Sequence, residues 1–272
     1  MTTARIASPP VLSRTRRRRL WFNWRGASLI VALALLVELL VQTRIVDFQY
    51  VPAPSAVIGA GWRLLASGRL LSDTGHTLSA ALLGWAIGSA AGIVLGTWLG
   101  LSKWARRFGL TSVEVLRAVP GIAFVPVVIL IFGFTITMEV VTILFVCVWP
   151  VLVNAVAGAQ AVTEVHDDMA RTLQLSRLQR VFAITLPTAV PYIATGMKLG
   201  LSTSLALAVV AEMVGNPAGL GYAIVYFQGA LQPASMFAVI VWIGLLGLAL
   251  NLVYELVTGR LSTVRAGLAE AR

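Results

Sequence analysis

Long apolar runs separated by short charged stretches make up most of this chain. A helix needs about 20 mostly apolar residues to cross the hydrocarbon of a bilayer. Six segments meet that requirement, at about 26–43, 77–102, 117–138, 140–162, 187–213 and 236–257. They predict an all-α membrane protein with six transmembrane helices. Lys and Arg in short flanks resist translocation, so their distribution orients the spans. With the N-terminus inside, 16 of the 21 Lys and Arg fall on the inner side, and only Arg44, Arg63 and Arg69 fall outside. Both termini are therefore expected in the cytoplasm, with a basic tail at 1–25 and a second tail at 259–272.

Within this frame the polar and small residues have their own rhythm. The second span carries glycine at 84, 88, 92, 96 and 100, and the fifth carries Gly196, Gly200, Ser204 and Ala208 at the same interval. In lipid no hydrophobic force draws helices together, so such stripes of small residues supply packing by close approach. They predict a tight bundle. The third span reads "RAVPGIAFVPVVILIFG", where Pro120 and Pro126 remove backbone donors and predict a kink or break. The outer loop 44–75 contains Pro52 and Pro54, followed by Ile58, Trp62 and Leu65 at helical spacing, which predicts a short helix on the outer interface. The last outer loop, "GNPAGLGYAIVYFQGALQPAS", is uncharged and rich in glycine, and is read as irregular backbone that dips into the membrane or caps a cavity.

Composition narrows the class. The chain has 272 residues, 58% hydrophobic and 12% charged, with mean hydropathy +0.87. A formal charge of +10 raises nucleic acid as a partner, but the basic residues form no face interleaved with aromatics, so that reading is set aside. The basic and then apolar N-terminus has the outline of a signal peptide. "VQTRIVDFQY" after it lacks the small-residue cleavage pattern, so the segment is read as a retained first span. Cys147 is the only cysteine, which excludes an intrachain disulfide and a cysteine-based zinc cluster. His76 and His166 stand alone in the sequence and are read as flanking polar residues, with no metal site expected.

No GxxxxGK[ST], HExxH, GxSxG or paired-carboxylate motif occurs, so energy for any work is expected from another subunit or an ion gradient. The unusual element is the polar stretch "DMARTLQLSRLQRVFAITLP", residues 168–187, on the inner side. Val165, Met169 and Leu173 follow one helical phase, and Leu175, Leu178 and Phe182 follow another. The shift near Gln174 predicts two short helices or one bent one. Spacing leaves open whether they lie on the membrane or fill a groove on a partner.

The stretch resembles the EAA loop of binding-protein-dependent ABC importer permeases. Asp168, Met169 and Ala170 stand at the Glu-Ala-Ala positions, while Ile184, Leu186 and Pro187 match the closing Ile-x-Leu-Pro. Gln174 stands where the pattern has glycine, which makes a positive-φ turn costlier. "VPAPSAV", "GHTLSAALLGWAIGSAAGIVLGTWLGLS", "LRAVPGIAFVPVVILIFG", "LPTAVPYIATGMKLGLSTSLALAVVAEM", "GLGYAIVY" and "GLLGLALNLVYELV" are similar to the subfamily that imports sulfonates, taurine, nitrate or bicarbonate. The resemblance covers roughly residues 51 to 260.

This resemblance implies a type I ABC importer permease bundle, with its transmembrane domain at 72–258 and a coupling loop at 164–186. It implies a second permease copy, two cytoplasmic ATPase subunits, an extracytoplasmic substrate-binding protein and location in the cytoplasmic membrane. No cofactor is expected in this chain, since ATP and Mg would be bound by the ATPase. Asp168, Ala170, Arg171, Leu173, Gln174, Leu175 and Arg177 would form the coupling helix. Arg117, Pro120, Ser202, Thr203, Ser204 and Glu212 are the pathway candidates, because ionisable and hydroxyl groups in spans mark function by default. A small anion is the expected solute. The rival readings are a secondary transporter or channel driven by an ion gradient, and a membrane scaffold.

Overall fold

A computed structural model describes residues 24–43, 50–162, 169–170 and 172–270, without the side chains of 25, 27, 177 and 260–270. The chain divides into two units, Met1–Asp47 and Phe48–Arg272. In the first, helix α1 spans Trp24–Gln42. Its Glu38 accepts a 2.6 Å hydrogen bond from Gln42 one turn later, so the carboxylate is partnered within its own helix.

The second unit consists of helices and short connections among its described residues. Helix α2, Pro54–Ala66, takes Pro54 into its first turn, where the missing N–H costs nothing. Ile58 and Trp62 project outward, 74% and 72% exposed. Helix α3, Arg69–Leu101, starts eight residues before the sequence-derived span and so includes His76. Among the described residues four helices have the length and apolarity to cross a membrane, at Arg69–Leu101, Ile136–Gln160, Leu178–Gly215 and Pro233–Gly259. A shorter apolar helix covers Ser28–Gln42.

The third expected span is not one helix. Helices α4, Lys103–Arg117, and α5, Gly121–Phe132, meet at an angle of 85°. Pro120 sits at the N-cap of α5 with extended backbone, since the residue before the first helical position need not be helical and proline favours that start. Pro126 lies inside α5 without ending it. Twelve helical residues rise about 18 Å, short of the roughly 30 Å hydrocarbon, so α5 alone does not span.

The glycine stripe of α3 lies against α6, Ile136–Gln160. A Cβ at Gly84 would meet Ile143 Cβ at 2.6 Å, at Gly92 the Val148 carbonyl oxygen at 2.8 Å, at Gly96 the Leu152 carbonyl oxygen at 2.5 Å, and at Gly100 Ala159 Cβ at 2.5 Å. The four-residue rhythm therefore becomes backbone-to-backbone contact along five successive turns.

After α6 the described chain resumes at Met169 in a helical turn. Leu173 N–H donates to Met169 O and Leu175 N–H donates to Ala170 O, each at 3.0 Å. The second bond spans five residues, with Gln174 between at φ 51°, which is a Schellman ending in which Gln takes the left-handed position usually given to glycine. Helix α7, Arg177–Arg180, starts at once behind a capping box. Ser176 Oγ accepts from Gln179 N–H at 3.3 Å, and Gln179 Oε1 accepts from Ser176 N–H at 2.9 Å. The sequence expectation of two short helices thus has two local causes. Gln174→Gly should relieve about 1–2 kcal/mol of left-handed strain against about 0.5–1 kcal/mol of added unfolded-state entropy. Slower amide exchange at Leu175 is the result that checks this.

A π turn, Val181–Thr185, joins α7 to α8, Leu186–Gly215. Pro187 follows it, at a place where the wider turn leaves room for a residue that cannot donate. Helices α9, Gly219–Gly229, and α10, Pro233–Glu270, complete the chain. The segment expected to be an irregular last outer loop is therefore a helix over half its length. Leu220, Ala223 and Phe227 pack with Leu70 and Val239, so α9 is held by its own buried face.

Candidate functional site

At one end of the bundle, the start of α3, the start of α6 and the end of α8 meet in a buried polar cluster. Glu212, in the last turn of α8, is 1% exposed. Its Oε2 accepts from Thr77 Oγ1 of α3 at 3.1 Å and from Gly221 N–H of α9 at 2.7 Å. Thr77 Oγ1 in turn accepts from Leu220 N–H at 2.9 Å. The N-cap residue of α9, Ala218, supplies no side-chain oxygen, so helices α3 and α8 provide the missing acceptors. A carboxylate near a helix N-terminus also gains from the helix dipole.

Two glycines make that approach possible. A Cβ at Gly219, whose φ is 92°, would lie 2.3 Å from Glu212 Oε1. At Gly221 it would lie 2.0 Å from Val209 O. "GLG" thus reads as two bare positions flanking a residue that packs inward. Thr77→Val would keep the shape and leave a buried Leu220 N–H unpaired, at a cost of about 1–3 kcal/mol. A fall in Tm of the solubilised protein, with faster exchange at Leu220, is the expected result.

His76 and Glu139 complete the cluster. Glu139, in the first turn of α6, is fully buried, and its Oε1 lies 3.1 Å from His76 Nε2. Asn216 Nδ2 donates to the same carboxylate oxygen and lies 3.2 Å from His76 Nε2. His76, Glu139 and Glu212 each offer one ligand atom, all within 4.8 Å of one another. His76 is therefore not the isolated flanking residue that its sequence position indicated. Glu139 divides two apolar runs and so reads as a loop residue. Only its partner on α3, 63 residues earlier, reveals that it is buried.

The other pathway candidates fall elsewhere. Thr203 Oγ1 donates to Leu199 O at 2.6 Å, and Ser204 Oγ donates to Leu201 O at 2.8 Å, so both hydroxyls return to their own helix. Ser202 Oγ lies 3.4 Å from Lys198 O on its own helix and also reaches Asn251 Oδ1 on α10 at 3.1 Å. One turn below, Lys198 pairs with Glu255. Lys198, Ser202, Asn251 and Glu255 form a polar strip that is half exposed in the chain. Pro120 is exposed at the α4–α5 break. Arg117 lines a cleft of about 270 Å³ with Glu114 and Gln160 on α4 and α6.

Among the residues expected to couple, Ala170 is buried, Leu175 is half-buried, and Leu173 and Gln174 are exposed. Asp168 and Arg171 lie outside the described residues, as does the side chain of Arg177.

Residues 88–263 match the family described as the inner membrane component of binding-protein-dependent transport systems. The chain is 29% identical over 202 residues to a nitrate import permease protein, NrtB, of Leptolyngbya laminosa, covering 74% of this chain and 69% of that one. It is 31% identical over 196 residues to the SsuC permease of Escherichia coli strain K12, assigned to aliphatic sulfonates transport, covering 72% and 74%. Among solved structures it is similar to a chain of the MetNI methionine ABC transporter in an inward-facing conformation. The TM-score is 0.58 at 19% identity, over 67% of this chain and 91% of that one, a likeness of fold alone.

Proposed function

This chain belongs to the family of inner membrane components of binding-protein-dependent transport systems, and from that premise we propose how it moves its solute. It is a multi-pass permease of an ABC importer, a transport subunit that works with an ATPase and a substrate-binding protein. In our reading the ATPase is a separate subunit that binds ATP and Mg, while both termini of this chain lie in the cytoplasm. The segment from Met169 to Phe182 is the coupling element.

The observation that carries this reading is the hook built by the Gln174 turn and the Ser176 capping box. It presents Leu173, Leu178 and Phe182 at 63%, 72% and 68% exposure. Three large apolar groups on a short ordered hook fit the helix-in-groove mode, in which such residues anchor in a partner's cleft. Movement of that cleft on ATP binding would be passed through α7 and the π turn directly into α8. Two copies of the chain would enclose the pathway. The half-exposed strip of Lys198, Ser202, Asn251 and Glu255 supports this, because charged groups in spans belong against protein or water and not lipid.

The solute we propose is a small anion such as nitrate or a sulfonate, in keeping with the names of the two relatives. Arg117 in the inner cleft would supply attraction without tight binding. The test is ATP hydrolysis by the reconstituted complex with its binding protein, across nitrate, taurine and an alkanesulfonate. One of these anions should stimulate hydrolysis. If no ATPase subunit co-purifies in mild detergent, the coupling role of the hook is wrong; if it does but no anion stimulates, only the solute assignment is wrong.

A further inference from the structure

The buried cluster at the outer ends of α3, α6 and α8 has more acceptors than donors. Glu212 Oε2 and Glu139 Oε1 are engaged as described above, but Glu212 Oε1 and Glu139 Oε2 have no hydrogen-bond partner, although neither side chain is more than 1% exposed. Burying a carboxylate oxygen unpaired is costly, and two such carboxylates side by side also repel. Among the described residues of the cluster, His76 is the one basic group that meets a carboxylate, at 3.1 Å from Glu139 Oε1. The nearest described arginine on α3, Arg69, is 3.9 Å from Asp73 and stacks 4.5 Å from the Tyr226 ring.

We propose that His76, Glu139 and Glu212 bind a divalent transition-metal ion, with Asn216 as a fourth donor. Three observations agree on this. The three ligand atoms lie within 4.8 Å of one another, a little wider than the shell of one ion, and small side-chain shifts would close that gap. The His76 Nε2 to Glu139 Oε1 separation of 3.1 Å is close to the edge of about 3.3 Å that a tetrahedron with bonds of about 2.0 Å would have. Each carboxylate also keeps one buried oxygen without a partner, and a cation bound to the pair would supply the positive charge that their burial lacks. Rotating the Asn216 amide by 180°, which exchanges its oxygen and nitrogen, turns Oδ1 toward the same point in place of Nδ2.

One imidazole nitrogen with oxygens from two carboxylates and an amide suits a borderline ion such as Zn2+ or Mn2+. Calcium takes six to eight oxygens, and magnesium keeps several waters, so neither fits this donor set. Access is available from one side, since the His76 side chain is 25% exposed and the carboxylates lie behind it. The ion would join the outer ends of three spans. Through the second oxygen of Glu212 it would also fix the start of α9. It would therefore act as a structural clamp on the outer face, independent of which solute crosses.

The test uses the assembled complex of permease and ATPase, stripped with EDTA and without nucleotide, with the ATPase alone as blank. Zn2+ titration should give about one equivalent per permease chain above the blank and raise Tm. Co2+ should show visible absorption bands of a site with mixed nitrogen and oxygen ligands. Glu212→Gln and His76→Ala should each weaken uptake at least tenfold and remove the Tm shift. His76→Ala changes the more exposed ligand and leaves the α9 cap intact, so it serves if Glu212→Gln does not fold. Absence of stoichiometric uptake by the wild type, or uptake undiminished in a folded variant, would overturn the assignment.

Discussion

Ala170→Arg is expected to abolish stimulation of ATP hydrolysis by substrate and binding protein while leaving membrane insertion intact. Ala170 is 4% exposed, and its carbonyl accepts the bond that closes the turn at Gln174. A guanidinium on a long stem cannot occupy that position without swinging outward. It would then push Leu173 and the capped start of α7 out of register with the cleft they are proposed to fill. Loss of one well-packed anchor at a small interface costs about 2 kcal/mol or more, so stimulation should fall well over tenfold. Insertion depends on the apolar runs, which the substitution does not touch. Stimulated hydrolysis at the wild-type rate, in variant complex of normal composition, would remove the hook from the coupling path.

Gly96→Val is expected to have the largest effect on assembly of the bundle. A Cβ there would lie 2.5 Å from the Leu152 carbonyl oxygen and 2.7 Å from Ala155 Cβ. Neither is the far end of a flexible side chain, so the two helices must separate rather than repack. Separation breaks the close approach over neighbouring turns as well. Overpacking in cores costs about 1–3 kcal/mol, and a collision with backbone belongs at or above the top of that range. Loss of the folded permease from detergent extracts is the measurement. Gly75→Ala provides the contrast, because nothing lies within 4 Å of a Cβ at that position of the same helix. If Gly96→Val proved as stable as Gly75→Ala, the stripe would not be the main α3–α6 contact.

Several features of the fold were legible because their signals are local. A glycine every fourth residue places bare backbone along one side of α3 whatever lies opposite, and α6 is where that side closes. The phase shift near Gln174 marks two helices. The cap formed by Ser176 and Gln179 was not read from the sequence, although its signal lies within four residues. Gln174 shows the limit of such reading. Glutamine argues against a left-handed turn, yet the Schellman bond and the capping box on either side hold it there at a cost of about 1–2 kcal/mol.

The candidate site was less legible. Thr203 and Ser204 looked like pathway hydroxyls, but a hydroxyl in a helix has a carbonyl three or four residues back within reach, and both take it. Glu212 was visible as an ionisable residue in a span, whereas what it binds was not. The loop after it looked irregular because its glycines disfavour helix. They are there so that α9 can start against a carboxylate.

Taken alone, the sequence marked the long apolar runs, the small-residue faces and the polar stretch with its phase shift. Each follows from composition or from spacing within a few turns. Only the tertiary structure decided the 85° angle of the break that Pro120 marks and the helical state of α9. It alone also brought together His76, Glu139 and Glu212. Those decisions rest on pairs such as His76 with Glu139, 63 residues apart, and Thr77 with Glu212, 135 apart. A buried carboxylate must find its donors wherever the packed helices bring them, and helix packing does not follow the order of the chain.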